Sequence, residues 1–101
     1  MKTYKLKISP LFKDDLKSVS EYISKTLKNP QAAKRLVIET RKAIRERLAI
    51  PLAAEPYCPE STNRIFYRIY VGNYTVFYVV NDNTMEVRRF LYSARDFNKL
   101  L

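Results

Sequence analysis

The sequence has no histidine and no tryptophan, and it contains only one cysteine, Cys58, and one glycine among its 101 residues. Without histidine, the chain lacks the side chain that most often acts as a general acid or base near neutral pH and as a metal ligand. A single cysteine excludes a disulfide within the chain and a cysteine-rich zinc site. Neither a dinucleotide fingerprint nor a phosphate-binding glycine loop is present. We therefore expect neither a cofactor nor a bound metal.

Long apolar runs are also missing. No run approaches the ~20 apolar residues that a membrane-spanning helix needs, and the first ten residues, MKTYKLKISP, are too polar for a signal peptide. Hydrophobic residues still make up 47% of the chain, which is enough for a packed core. We therefore expect a single soluble, cytoplasmic domain over residues 1–101, with no membrane partner.

Basic residues outnumber acidic ones by 19 to 10, which gives a net charge of +9. Most of the excess lies in residues 1–49, which carry 13 basic and 5 acidic side chains. A field of this sign attracts polyanions such as nucleic acid, the ribosome or an acidic protein segment. The alternative is a solvated basic surface that serves solubility alone.

The first half of the chain predicts a strand followed by two helices. Residues 4–8 alternate apolar and lysine side chains, as a strand with one wet face does. Ser9-Pro10 and Asn29-Pro30 are both typical of a helix N-cap followed by proline at the first helical position. The first helix carries apolar residues at steps of three and four up to Leu27, and the second should cover about residues 30–49. The short connection predicts a helical hairpin.

The second half predicts an antiparallel meander of strands over residues 66–71, 74–80 and 85–92. Gly72-Asn73 forms the first turn, where a hairpin needs positive φ, and residues 81–84 form the second. Residues 50–63 show no periodicity and should form a functional or mobile loop, while 94–101 form a short tail or helix. The order β-α-α-β-β-β predicts an α+β fold, in which the helical hairpin packs on one face of an antiparallel sheet and leaves the other face open.

Arginines and aromatic residues are interleaved in residues 64–101. This segment holds nine of the thirteen aromatic residues, together with arginines at positions 64, 68, 88, 89 and 95. Arginine guanidinium groups form paired hydrogen bonds with phosphates, and aromatic rings stack on bases. Aromatic rings in strands, however, often only pack in a core. Arg88 and Arg89 are adjacent and would point to opposite faces of a regular strand. One of them must therefore reach round the sheet edge or be redirected by a bulge.

The remaining side chains limit the possible chemistry. Asp14-Asp15 could form a metal pair, but carboxylates early in a helix more often interact with the helix dipole. Cys58 lacks an activating base. Arginine, lysine, tyrosine and a few carboxylates can still stabilise a phosphodiester transition state electrostatically. RNA suits this chemistry because its 2′-hydroxyl supplies the nucleophile.

The chain resembles the RelE/ParE toxin superfamily of bacterial type II toxin–antitoxin systems. The features that carry the resemblance are the helix start ISPLFKDDL, the start of the second helix at NPQAA, the hairpin RIYVGNYTVFYVV and the final segment MEVRRFLYSARD. The resemblance implies a toxin that a cognate antitoxin neutralises. RelE-like members cleave mRNA on the ribosome without a metal, whereas ParE-like members poison DNA gyrase and have no catalytic activity of their own.

The resemblance also implies site residues. Arg95 matches the arginine that RelE-like enzymes place at the scissile phosphate, and Arg68 matches a basic strand position. Tyr92 matches a position often occupied by histidine in relatives and is the nearest substitute for a proton-transfer group; the alternative is a core ring at the end of a strand. Thr75 stands where many relatives have an arginine, and Leu101 falls near the position of a C-terminal catalytic tyrosine in some members, so both of those roles are unfilled. We expect the catalytic residues to be Arg68, Arg95 and Tyr92.

RNA binding and partner binding complete the expectations. Arg64, Arg88 and Lys99 would hold RNA, so the resemblance favours a metal-independent, ribosome-dependent mRNA endoribonuclease. A gyrase poison is the alternative, and a toxin-like module that has lost its activity is a third. The antitoxin should bring an acidic or amphipathic segment to the basic helices or to the sheet. Exposed apolar area around Tyr57, Phe66 and Phe77 would suit it, unless the 50–63 loop covers these residues.

Overall fold

The computed structural model describes residues 3–59, 63–94 and 101. The expected α+β class and element order are confirmed, with one additional short strand. The elements are β1 (Lys5–Ile8), α1 (Pro10–Glu21), α2 (Pro30–Arg47), β2 (Pro56–Tyr57), β3 (Phe66–Val71), β4 (Tyr74–Asn81) and β5 (Thr84–Tyr92). The five strands form one sheet in the order β1-β5-β4-β3-β2. Within the described residues, no helix is both long and apolar enough to cross a bilayer.

Both predicted helix starts are present. The Ser9 hydroxyl accepts a hydrogen bond from the Phe12 amide at 3.2 Å, and the Asn29 side chain accepts one from the Ala32 amide at 3.1 Å. The first helix ends differently from the prediction, because α1 continues into a π-helical turn over Tyr22–Thr26. This turn is wider than an α-helical one. Leu27 therefore leaves the apolar face and is 56% exposed.

The strands β3, β4 and β5 form the expected antiparallel meander. Gly72 has φ +57° at the first position of the β3–β4 turn, as predicted. The β4–β5 turn is tighter than the four residues expected, because Asn81 pairs with Thr84 and only two residues connect them. Asp82 takes positive φ at the first of these two positions.

Two features of the sheet correct the sequence-based expectation. β1 runs parallel to β5, with Lys5 opposite Thr84, so the sheet is mixed rather than wholly antiparallel. No hairpin turn links these strands, and alternation along a strand does not show its direction. The segment 50–63 contains β2, in which Tyr57 pairs with Phe66. A two-residue strand is too short to give a periodic signal.

The helices cover one face of the sheet, and the opposite face is called the outer face below. The core on the helix side includes Phe12 from α1, Ile44 from α2 and, from the strands, Ile69, Val71, Val76, Tyr78, Met85, Val87 and Phe90. The outer face has its own buried cluster of Phe66, Phe77, Val79 and Leu91, with Tyr57 and Leu101 packed against it. The expected open apolar area at Phe66 and Phe77 is therefore wrong, since their exposures are 1% and 0%. The alternative, coverage by the 50–63 segment, agrees with the position of Tyr57, which belongs to that segment and packs against Phe77 with ring centres 6.4 Å apart.

Candidate nucleic-acid interface

Arg68 lies on the outer face of β3 between two tyrosine rings. Its guanidinium carbon is 5.0 Å from the ring centre of Tyr57 and 5.9 Å from that of Tyr70. It forms no ion pair with any of the described residues. Tyr70 is 65% exposed. A cation that keeps its charge beside an exposed ring is the combination that single-stranded nucleic acids bind, through phosphate contact and base stacking.

A buried hydrogen-bond network holds the backbone of Arg68. Arg47, at the end of α2, donates from Nη1 to the Arg68 carbonyl at 3.1 Å and to the Tyr78 hydroxyl at 3.0 Å. The Tyr78 hydroxyl in turn donates to the Pro51 carbonyl. Burial raises the pKa of Tyr78, and the Arg47 hydrogen bond offsets this only in part. The neutral phenol therefore links Arg47 of α2 to the segment that follows α2, and Arg47 links both to β3 at the position of Arg68.

A β-bulge resolves the conflict between the adjacent arginines Arg88 and Arg89. Val87 pairs with Tyr78 and Arg89 pairs with Phe77, so Arg88 is the extra residue in β5. The Ser9 hydroxyl donates to the Arg88 carbonyl at 2.8 Å and holds the bulge in place. Both expected solutions are therefore present, because the bulge redirects one arginine and the other reaches round the sheet edge to α1.

Arg89 is the arginine that reaches α1. It donates to Asp15 from Nε at 2.7 Å and from Nη2 at 3.1 Å. The same carboxylate accepts the Phe90 amide at 3.0 Å, on the edge of β5. Asp15 is therefore committed to the fold rather than to a metal or to the helix dipole. No group of three or more metal-ligating side chains occurs within the described ranges.

Arg64 and Arg88, both predicted to hold RNA, lie at one cavity on the outer face. Arg88 donates to Glu86 at 3.1 Å, and Lys7 of β1 also pairs with Glu86, at 3.4 Å. The cavity is lined by Lys7, Arg64, Asn81, Thr84, Glu86 and Arg88. Sequence reasoning missed Lys7. The only signal available was the alternation in β1, which puts its lysines on one wet face.

Tyr92 lies on the helix side of the sheet, away from Arg68. Its ring is 5.7 Å from that of Tyr74, and both line a cleft with Tyr22 and Leu27. The bulge at Arg88 causes this placement, because an extra residue moves every following side chain to the opposite face. The structure thus brings Arg64 and Arg88 together but does not bring Tyr92 to Arg68. Arg95 and Lys99 lie outside the described residues.

Thr75 occupies the position where an arginine was expected from the resemblance. Its side chain is buried, and its hydroxyl lies 2.8 Å from that of Ser93. This pair of hydroxyls links β4 to the residue that follows β5. Thr75 is therefore a structural residue and presents no charge to a ligand.

A groove runs between α1, α2 and β1 on the helix side. Its apolar lining is formed by Leu6, Ile8, Phe12, Leu16, Val37, Ile44 and Leu48. Its charged lining is formed by Lys13, Lys17, Arg41 and Arg45, and no acidic residue is among the described residues that line it. An apolar floor with a basic rim suits an amphipathic segment that has an acidic side.

A comparison with protein families identifies one family for this chain. The family model for the ParE toxin of the type II toxin–antitoxin system, parDE, matches residues 6–97. No curated protein matches the chain in sequence.

Solved structures share the fold. A chain of the chromosomal ParDE toxin–antitoxin system from P. aeruginosa has 12% identity and a TM-score of 0.73, and the match covers 89% of this chain and 96% of that one. A chain of the archaeal RelE–RelB complex from Pyrococcus horikoshii has 24% identity and a TM-score of 0.53, with 93% and 99% coverage. At these identities the likeness concerns the fold alone.

Proposed function

Since this chain belongs to the ParE toxin family of type II toxin–antitoxin systems, we propose that it arrests growth by cutting mRNA on the ribosome until a cognate antitoxin binds it. The observation that carries this proposal is Arg68. Its guanidinium lies on the outer face beside the exposed ring of Tyr70 and pairs with no described carboxylate. A guanidinium with no carboxylate partner among the described residues, placed beside a stacking surface, supports binding of a phosphodiester and its neighbouring base.

The chemistry requires no metal. Arg68 would bind the non-bridging oxygens of the scissile phosphate and stabilise the charge that develops when the 2′-hydroxyl attacks. Arg95, matched through the family resemblance, would contribute a second guanidinium. Tyr92 opens onto the helix side, so its proposed part in proton transfer requires the RNA strand to pass round the end of β5.

The antitoxin would bind the groove between α1, α2 and β1. The basic rim attracts an acidic segment, and the apolar floor accepts its hydrophobic side chains. This location replaces the one around Phe66 and Phe77, which are buried. The fold is shared with chains of a ParDE system and of a RelE–RelB complex, which supports such a partner.

The proposal is tested by inducing the toxin without its antitoxin and mapping the 5′ ends of mRNA. Wild type and Arg35→Gln, an exposed arginine on α2, should both produce new ends within coding regions. Arg68→Gln should produce about a hundredfold fewer, as expected for loss of one transition-state contact. Growth arrest with intact transcripts would contradict the proposal.

A second candidate is a ParE-like gyrase poison without catalysis. The observation that favours it is the absence of two expected catalytic groups beside Arg68: Tyr92 lies on the other face, and Thr75 replaces an arginine. This candidate predicts gyrase-linked DNA breaks and induction of the DNA-damage response, with mRNA left whole. Cut transcripts without DNA breaks would exclude it.

A further inference from the structure

We propose that Lys7, Arg64 and Arg88 form a second phosphate site on the outer face, which binds the backbone of the same single RNA strand that Arg68 holds. This inference rests on the proposed function and assigns Lys7 a role that its position in an edge strand does not reveal. The site lies at the cavity between β1, β5 and the segment before β3.

Three cations from three separate parts of the chain meet at this cavity. Lys7 comes from β1, Arg64 from the residues just before β3, and Arg88 from the bulge of β5. The other described lining residues, Asn81, Thr84 and Glu86, are all polar. A wholly polar cavity with a surplus of positive charge fits an anion and does not fit an apolar ligand.

Glu86 forms ion pairs with Lys7 and Arg88, but one carboxylate cannot neutralise both cations. Its side chain is 15% exposed and bridges Lys7 and Arg88, whereas the Lys7 side chain is 68% exposed. Lys7 and Arg88 share this single carboxylate, so among these three described side chains the positive charges outnumber the negative one. An ammonium and a guanidinium have three and five N–H donors, and a single carboxylate cannot accept all of them. The remaining donors are available for phosphate oxygens.

The bulge explains why Arg88 faces this cavity. Arg89 is held by Asp15, and the Ser9 hydroxyl fixes the carbonyl of Arg88. The bulge separates the two arginines, so that one serves the fold and the other faces the outer side. Bulges commonly redirect a side chain in this way at functional sites.

The spacing points to a second phosphate of one strand. Lys7 pairs with Glu86 and Glu86 with Val79, so Lys7 shares the outer face with Arg68. Three strand spacings of roughly 4.8 Å separate β1 from β3, a distance of about 14 Å. A single phosphate cannot span this distance. A flexible strand across the outer face would meet both sites, with Tyr70 available for stacking at the Arg68 end.

The test measures binding of a short single-stranded 2′-O-methyl RNA, which cannot be cleaved because it lacks the attacking hydroxyl. Fluorescence anisotropy at several salt concentrations gives the salt dependence of binding. Lys7→Gln should reduce the slope of log K against log salt by about 0.7, which corresponds to about fivefold weaker binding at 0.1 M salt. Glu86→Gln should tighten binding at low salt, because it removes the negative charge that pairs with both Lys7 and Arg88.

Lys5→Gln is the matched control. Lys5 is an exposed lysine two residues away on the same face of β1, outside the cavity. Equal effects of Lys5→Gln and Lys7→Gln would overturn the inference. So would a loss of antitoxin affinity in Lys7→Gln with unchanged RNA binding.

The inference and the proposed function can fail separately. Intact transcripts in cells together with the expected Lys7→Gln slope would reject the nuclease and retain the phosphate site. Cut transcripts together with a wild-type slope for Lys7→Gln would reject the site and retain the nuclease.

Discussion

Replacing Asp15 by asparagine should destabilise the protein strongly, because its carboxylate ties α1 to β5. Its carboxylate accepts two hydrogen bonds from Arg89 and one from the Phe90 amide, at 2.7–3.1 Å. The two side chains are only 16% and 18% exposed. Asparagine removes the negative charge with which the largely buried Arg89 guanidinium pairs at 2.7 Å.

The magnitude follows from this partial burial. Removing one partner of a fully buried ion pair costs roughly 3–5 kcal/mol. Residual exposure and the remaining amide oxygen reduce this, so we expect a loss of about 2–3 kcal/mol in the free energy of unfolding. For a domain of about 100 residues this corresponds to a fall of roughly 10–20 °C in Tm.

Urea unfolding followed by circular dichroism measures the loss, and Asp14→Asn provides the control. Asp14 is exposed and adjacent, so its replacement should change the free energy of unfolding by less than about 0.5 kcal/mol. A double-mutant cycle of Asp15→Asn with Arg89→Gln should show a coupling of about 1–2 kcal/mol. Equal stabilities of the Asp14 and Asp15 variants would refute the reasoning.

Three further predictions concern pH, a turn and the groove. Burial, with repulsion from Tyr22 and Tyr92, raises the pKa of Tyr74 above its ordinary value of 10.0. The native state therefore keeps this proton to a higher pH than the unfolded chain does, so the contribution of Tyr74 to the free energy of unfolding should be constant below about pH 10 and be lost above it. In urea titrations above that pH, Tyr74→Phe should lose less stability than wild type. Gly72→Ala should cost about 1 kcal/mol in thermal unfolding from backbone strain alone, because a Cβ there has no neighbour within 4 Å; a loss above about 3 kcal/mol would indicate a clash instead. Reversing charge on the groove with Arg41→Glu and Arg45→Glu should weaken antitoxin binding at least tenfold in calorimetry, whereas an unchanged affinity would place the antitoxin elsewhere.

The parts of the fold that local chemistry determines could be predicted. Ser9-Pro10 and Asn29-Pro30 start the helices, and Gly72 forms its turn, because each depends on neighbours within a few residues. The direction of β1 and the existence of β2 depend on pairing between distant segments. No local pattern contains that information.

In the candidate site, too, local features could be predicted from the sequence, whereas features that depend on strand pairing could not. The adjacent arginines at 88 and 89 predicted a bulge or a side chain that reaches round the edge, and both occur. The consequence for Tyr92 could not be predicted, because a one-residue bulge moves everything after it to the other face. Lys7 was missed because it meets Arg88 only through the pairing of β1 with β5.

The most direct test of the account uses purified toxin and ribosomes programmed with a defined mRNA, with cleavage read by primer extension. We predict cutting by wild type and by Arg35→Gln, a rate about a hundredfold lower for folded Arg68→Gln, and loss of cutting when the antitoxin is added. Intact mRNA with a wild-type toxin that still arrests growth in cells would contradict the proposed nuclease function. Wild-type cleavage rates for Arg68→Gln would contradict the proposed role of Arg68.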